Sequence, residues 1–415
     1  MLNYLDFDSV MKQKVVIIGH GYTSRLGMIR ALGMAGYEVI VIVMTFYKRD
    51  GKTLDTRKPI DCYSKYVSRY LFNLASDKNG LIELLLRECV DPNQKVVIIP
   101  DSDVSAAAID MNQDKLSPYF LFPHINHEQG AVVDWMDKTR QKTLASECGL
   151  TVAKSWTIQV VDGKYTIPNE LQYPCFPKPL ATIVGGKGGL KRCINEPELR
   201  AVIAMLVQKK PTIDIMVEEF RDIQTEYAVL GFSDGKDVVI PGILEILSMA
   251  NGGHFGVAKQ GRIMPIQGYE ELVGKFKDFV SRIGFVGIFD IDFYKSDDEL
   301  FFGEMNLRYG GSGYAVTASG VNLPEMLVKT LIGQSIEDLP KQVTKTSIYC
   351  NERMCVDDWY GGYIGTKQYK KILQSANISF IGDKDDEVPR EVFRREKCGI
   401  IMNVKKIVKR VFVIR

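Results

Sequence analysis

Residues 284–314 read GFVGIFDIDFYKSDDELFFGEMNLRYGGSGY, the periodicity of a hairpin. Phe285 to Tyr294 is an apolar run interrupted by Asp290 and Asp292, the spacing of two side chains on one face of a strand. Lys295-Ser296-Asp297-Asp298-Glu299 turns the chain, and Leu300 to Met305 brings it back as a second strand. Asp292, Glu304, Asn306 and, just beyond, Arg308 are predicted to project from neighbouring positions on one face. Carboxylate and amide oxygens are the ligands Mg²⁺ prefers, with waters and substrate phosphates completing its shell. A guanidinium beside such an ion is placed to hold an anionic reacting group. The pattern leaves open which of Asp290 and Asp292 is the metal ligand.

GEMNLRYGGSG resembles the metal-binding strand of the ATP-grasp enzymes, where E-x-N-x-R is followed by small residues. The family pairs that strand with an acidic or amide ligand about twelve residues upstream, the place Asp292 holds before Glu304. The resemblance implies Asp292, Glu304 and Asn306 as ligands of Mg²⁺, with Mn²⁺ as an alternative ion, and Arg308 as a catalytic cation. The phrase NLRYGGSGYAVTASGVNLPEM is similar to the carboxylate–amine ligase branch, notably D-aspartate ligases, and to the synthetase halves of carbamoyl-phosphate synthases. In all, the resemblance covers roughly residues 14–335.

Working outward, 415 residues allow two to four compact units. A composition 46% hydrophobic and 25% charged is that of an ordinary globular protein, and a net charge of +2 gives no field for nucleic acid. The eight cysteines, with no CxxC, read as reduced core thiols of a cytoplasmic protein. The N-terminal stretch has no signal-peptide core, and no segment approaches the ~20 apolar residues of a membrane span.

Residues 14–43 read strand, helix, strand, a βαβ unit that implies a parallel sheet. Its glycines at 19, 21 and 27 lack the G-x-G-x-x-G spacing, so a tight strand-to-helix turn accounts for them better than a dinucleotide does. Leu81 to Cys89 is a predicted helix and Lys95 to Pro100 a buried strand. That strand ends in Asp101-Ser102-Asp103, expected to cap a helix from Val104 to Met111. In ATP-grasp relatives this domain contributes to the second substrate's site, which makes Asp101 and Asp103 candidates there.

A second unit opens with the amphipathic helix of DWMDKTRQKTLASECGL, stopped by Gly149, with Lys138 near its start. The resemblance implies that Lys138 contacts the nucleotide phosphates, as does Lys178 in the P-x-x-x-K-P-like strand Tyr173 to Pro179, where Pro177 belongs on an edge strand. Gly185, Gly186, Gly188 and Gly189 around Lys187 form a loop whose bare amides can close over phosphates, Lys187 being a catalytic candidate. Asp214 to Phe220 matches the adenine hinge, implying ATP contacts at Glu218, Glu219 and Phe220, with Glu226 following. His254 and Arg262, between Ile246 and Pro265, are candidates for the acceptor carboxylate; Gly311 and Ser312 are candidates near the reacting phosphate.

The expected architecture is α/β and α+β: an N-terminal parallel-sheet (pre-ATP-grasp) domain at 1–125, ATP-grasp lobes at 126–215 and 216–339, and a small α/β extension at 340–415. The implied activity is ATP-dependent, ADP-forming ligation of a small-molecule carboxylate to an amine through an acyl phosphate. Two alternatives stand beside it, phosphorylation of bicarbonate and non-catalytic ATP binding. The basic, apolar tail at 404–415 reads as a terminal element packed on the body or as a membrane-surface contact, and a homodimer is one assembly to test.

Overall fold

The computed structural model describes residues 12–20, 23–45, 53–74, 78–180, 190–251 and 256–397. The loop 185–189, His254 and the tail 404–415 therefore lie outside the described residues.

The N-terminal unit is built from β1 (Lys14–Gly19), α1 (Thr23–Met34), β2 (Glu38–Met44), β3 (Val67–Asn73), α2 (Lys78–Glu88), β4 (Val96–Pro100), α3 (Asp103–Asp110) and β5 (Phe120–Leu121). Its strands pair in parallel in the order β3-β2-β1-β4-β5. Near-continuous Val and Ile runs make β1, β2 and β4, as expected for strands covered on both faces. The chain leaves β1 toward β2 on one side and returns to β4 on the other, so the carboxyl ends of β1 and β4 border a topological switch point. Ser102, rather than either flanking aspartate, caps α3: its hydroxyl accepts from Ser105 N at 3.3 Å in a capping box.

Next come α4 (Lys138–Glu147), β6 (Ser155–Val160), β7 (Cys175–Pro179), α5 (Glu196–Lys209) and β8 (Ile213–Glu219). A small antiparallel sheet runs β6-β8-β7, which puts Pro177 on an edge strand, where its missing N–H costs no ladder bond. The strand β8 runs across the expected lobe boundary at 215/216, and the chain leaves the small sheet only after Glu219. Helix α4 belongs with the large sheet instead: Ala145 and Cys148 share a core with Phe289 and Met305.

The large sheet comprises β9 (Thr225–Asp234), β10 (Ile243–Met249), β11 (Ala258–Met264), β12 (Phe285–Ser296), β13 (Glu299–Asn306), β14 (Ser347–Cys350) and β15 (Ile378–Ser379). Its order is β15-β14-β11-β10-β9-β12-β13, with the short strand Thr151–Val152 beyond β13. Helix α6 (Glu270–Ile283) covers one face through Phe276, Phe279 and Val280. The other face meets α7 (Gly313–Ala318) and α8 (Leu323–Leu331), which pack in turn on α1. A Cβ on Gly27 would lie 2.8 Å from Tyr314 Cβ, so this glycine serves the contact of α1 with α7.

Residues 340–397 extend the large sheet: β14 pairs with β11, and α9 (Glu352–Tyr360) and α10 (Thr366–Ser375) follow. Arg30 on α1, fully buried, binds Asp386 Oδ2 at 2.9 Å and the carbonyls of Phe380 and Ile381 at 3.0 and 2.8 Å. The region is thus tied to the N-terminal unit rather than appended to it. Among the described residues no helix is long and apolar enough to cross a membrane.

Candidate functional site

The hairpin β12–β13 closes on Asp297 and Asp298, both at positive φ, a conformation aspartate tolerates and two-residue hairpin turns require. Its register sets Asp292 opposite Glu304 and Asp290 opposite Asn306. Cross-strand partners share a face, so all four oxygen-bearing side chains lie on one face. On β9, Ala228 stands opposite Asp292 and Glu226 opposite Tyr294, which puts Glu226 on that face too. A bulge follows the Asp292–Glu304 pair, where Gly303 is skipped in the pairing; a Cβ there would sit 2.8 Å from Asp292 O.

Lys138, the first residue of α4, reaches this face and binds Glu304 Oε2 at 2.7 Å. Gln141, on the same helix, holds the edge of β13: its amide bonds Met305 N at 2.9 Å and Met305 O at 2.8 Å. Arg308 donates to Asn306 Oδ1 at 3.3 Å, to its neighbour's carbonyl at 3.2 Å, and to Asp103 Oδ1 at 3.1 Å. The last bond brings the N-terminal unit onto the acidic face. Asp290 is buried, and its Oδ1 has no hydrogen-bond partner among the described residues. Burial pushes its carboxyl up to about 6, with Arg308 opposing the rise.

Opposite lies a cationic cluster. Glu218, at the end of β8, is clasped by Lys142 and by Lys178, the latter at 2.8 Å. Burial is the largest influence on both ammonium groups. It prevails at Lys142, whose pKa falls, while at Lys178 the nearby Glu218 and Glu304 outweigh it and the pKa rises. Lys142 was not anticipated, though it stands one turn beyond Lys138 on the same helix, and that i,i+4 spacing was the available signal. Glu219 accepts from Lys154 N at 3.0 Å and from Arg221 at 2.8 Å. The hinge amides of Glu219 and Phe220 donate to the carbonyls of Lys154 and Pro174, both at 2.9 Å, so these two N–H groups serve the fold rather than standing ready for an adenine edge.

Ser312 bonds Tyr349 Oη at 3.0 Å, and Gly311 is exposed, with open space where a Cβ would lie. The structure does not bring Arg262 to this face. On β11 it pairs with Glu245, which stands opposite Tyr227 and, across β9, Phe293, so Arg262 shares the face covered by α6. Its guanidinium binds Glu245 at 2.6 Å.

Oxygen-only donors on one face, with a buried carboxylate oxygen left unpartnered beside them, fit a hard divalent cation. Residues 143–325 match the family model of the ATP-grasp domain. The chain is similar to the carbamoyl phosphate synthase large chain of Gemmatimonas aurantiaca, 23% identical over 206 residues, which covers 49% of this chain and 19% of that one. It thus spans about a fifth of that relative's length. Among solved structures it resembles an L-amino acid ligase from Bacillus licheniformis, with TM-score 0.58, 14% identity and coverage of 82% of this chain and 80% of the other. It also resembles the biotin carboxylase domain of Hydrogenobacter thermophilus 2-oxoglutarate carboxylase, solved with MgADP, ADP and bicarbonate: TM-score 0.59, 18% identity, covering 82% and 75%. At these identities the likeness speaks for the fold.

Proposed function

For a chain that carries an ATP-grasp domain at residues 143–325, we propose ATP-dependent, ADP-forming ligation of a carboxylate to an amine through an acyl phosphate. The observation that carries this reading is the shared face of Asp292, Glu304 and Asn306, with Arg308 beside it and Lys138 against Glu304. Asp292, Glu304 and Asn306 would hold Mg²⁺ (or Mn²⁺), whose chemistry is charge neutralisation on the nucleotide phosphates.

A carboxylate is a poor electrophile until phosphorylated, and in phosphoryl transfer a protein works by positioning and neutralising charge. Lys138, Lys142 and Lys178 would neutralise phosphate oxygens once ATP competes with Glu304 and Glu218 for their ammonium groups. Glu219, Phe220 and Glu226 would border the nucleoside, and Lys187 with Gly185, Gly186, Gly188 and Gly189 would cover the phosphates. Arg308 would bind the oxygen of the reacting carboxylate or the transferring phosphoryl group, exchanging its bond to Asp103 for that anion. The amides near Gly311 and Ser312 would meet charge developing on the acyl group, and His254 stays a candidate for the acceptor. A homodimer is an assembly to be tested by sedimentation.

Similarity of half the chain to carbamoyl phosphate synthases favours a second reading, phosphorylation of bicarbonate. One experiment separates the two. ADP release is measured with MgATP and panels of amino acids, dipeptides and uronic acids, each with and without bicarbonate. Release that needs an organic acid supports the ligase; stimulation by bicarbonate alone supports the second reading; binding of ATP without ADP under any condition contradicts both.

A further inference from the structure

The strand ends of the N-terminal sheet hold an acid that the phosphoryl-transfer machinery leaves unused. Asp101 follows β4 at the switch point, its N–H bonded to Ile18 O at 2.9 Å. Its carboxylate lies over Gly19: a Cβ on that glycine would fall 1.3 Å from Asp101 Oδ1, so no other residue type fits at the end of β1 without moving the acid. Switch-point crevices of open parallel sheets are where such folds bind small molecules. This one is carried onto the phosphoryl site by its near neighbour, since Asp103 on the following helix binds Arg308.

The crevice is built from charged groups rather than from a lone acid. Arg25 on α1 is fully buried and bonds Asp61 and, at 2.6 Å, Gly19 O; its Nη2 has no partner among the described residues. The charged groups that face Asp101 are Arg25 from α1, Asp61 from the turn Ile60–Tyr63, and Arg308 from the loop after β13; His20, after β1, offers its backbone N–H. Burial is the strongest influence on the Asp101 carboxyl, and together with Asp61 it outweighs the two arginines, pushing the group up to about 7. Asp103, on the same segment, adds a further acid beside Arg308.

We infer that Asp101 is the proton acceptor for the amine substrate, which enters the crevice between the ends of β1 and β4 as a primary ammonium and is held there by Asp101 and Asp103. This rests on the ligase reading. The ammonium gives one proton to Asp101; its nitrogen then forms a bond to the acyl carbon. The bond from that carbon to the phosphate oxygen breaks, its electron pair leaving with phosphate. The second proton lost from nitrogen goes with that phosphate, leaving an amide, hydrogen phosphate and a protonated Asp101. An acid that titrates near neutrality suits this step, because it is charged at working pH and still basic enough to accept a proton.

The test uses the full chain, MgATP, L-amino acids as carboxylate and amine, and Asp101→Asn. Wild-type kcat is expected to rise tenfold per pH unit below about pH 7 and then level. Asp101→Asn should lose that limb and about 10²-fold or more in kcat at pH 7, with KM for ATP unchanged. Hydroxylamine, an amine already neutral at pH 7, should restore hydroxamate formation in the variant to within a few-fold of wild type, which a merely misfolded protein could not do. An unchanged pH profile in Asp101→Asn, or no rescue by hydroxylamine, overturns the role of Asp101 alone. A wild type that releases no ADP with any acid overturns the ligase reading beneath it.

Discussion

Asp292 and Glu304 stand directly opposite each other across an antiparallel strand pair, at the last register position before a bulge at Gly303. The pairing gathers two carboxylates on one face, and Lys138 stands against the second of them at 2.7 Å. Two like charges so placed repel each other unless a cation lies near. Glu304→Gln is therefore expected to lower carboxylate-dependent ADP release by about 10²-fold or more and to raise the Mg²⁺ concentration for half-maximal rate, with an unchanged circular-dichroism spectrum. Near-normal turnover at low Mg²⁺ contradicts the assignment.

Arg308 spreads its donors over Asn306, a backbone carbonyl and Asp103. Arg308→Lys keeps the charge and loses the fork, so it should retain ATP binding while kcat falls about 10²-fold. Isothermal titration with ATP and a coupled ADP assay separate the two effects; a change in ATP affinity alone contradicts a role at the reacting anion.

Glu218 clasps two ammonium groups, so Glu218→Gln leaves the buried Lys142 and the half-buried Lys178 without their shared carboxylate. Removing one partner of a buried pair costs about 3 kcal/mol or more. Urea unfolding is expected to show that loss in the nucleotide-free protein and less of it at saturating ATP, whose phosphates replace the missing charge. Equal losses with and without ATP contradict a phosphate-facing role for Lys142 and Lys178.

The pairing of Lys259 with Asp358 makes a pH prediction. Both are buried, 2.6 Å apart, and Asp358 also accepts from Asn251 N at 2.8 Å. Burial, the largest influence, raises the Asp358 pKa, but the bonds from Lys259 and Asn251 outweigh it and hold the carboxyl below its ordinary value of 3.8. A depressed folded-state pKa contributes stability that is present above the unfolded value and lost as pH falls through the folded one. Asp358→Asn should lower the urea midpoint at pH 7 and flatten its fall below about pH 4; an unaltered acid limb contradicts the linkage.

The hairpin was legible from its alternating apolar residues around an Asp-Asp turn, but its register at the site was not: counted from the Ser296–Glu299 pair, Asp292 would meet Gly303, and only the bulge there sets Glu304 opposite it. Lys178 and Glu218, singled out through the ordered series of motifs, meet as an ion pair across β7 and β8. What escaped depends on three-dimensional register. Asp103 read both as a helix cap and as a candidate for the second substrate's site, and the sequence could not choose; the fold shows Ser102 taking the cap while the aspartate turns to Arg308. Arg262 looked like a substrate residue because its neighbourhood is glycine-rich, but the pairing of β11 with β10 sends it to the opposite face. The anchoring of residues 340–397 through Arg30 spans more than three hundred positions and has no local signature.

The central claim is that the reacting carboxylate is phosphorylated on the Asp292–Glu304 face. An acid labelled with ¹⁸O in its carboxylate, chosen as the one that most raises ADP release, tests it by mass spectrometry of the phosphate product. The account predicts one ¹⁸O transferred into phosphate per ADP formed by the wild type, and transfer slower by about 10²-fold or more with Glu304→Gln. Phosphate free of label in the wild type, at full carboxylate-dependent turnover, would contradict it.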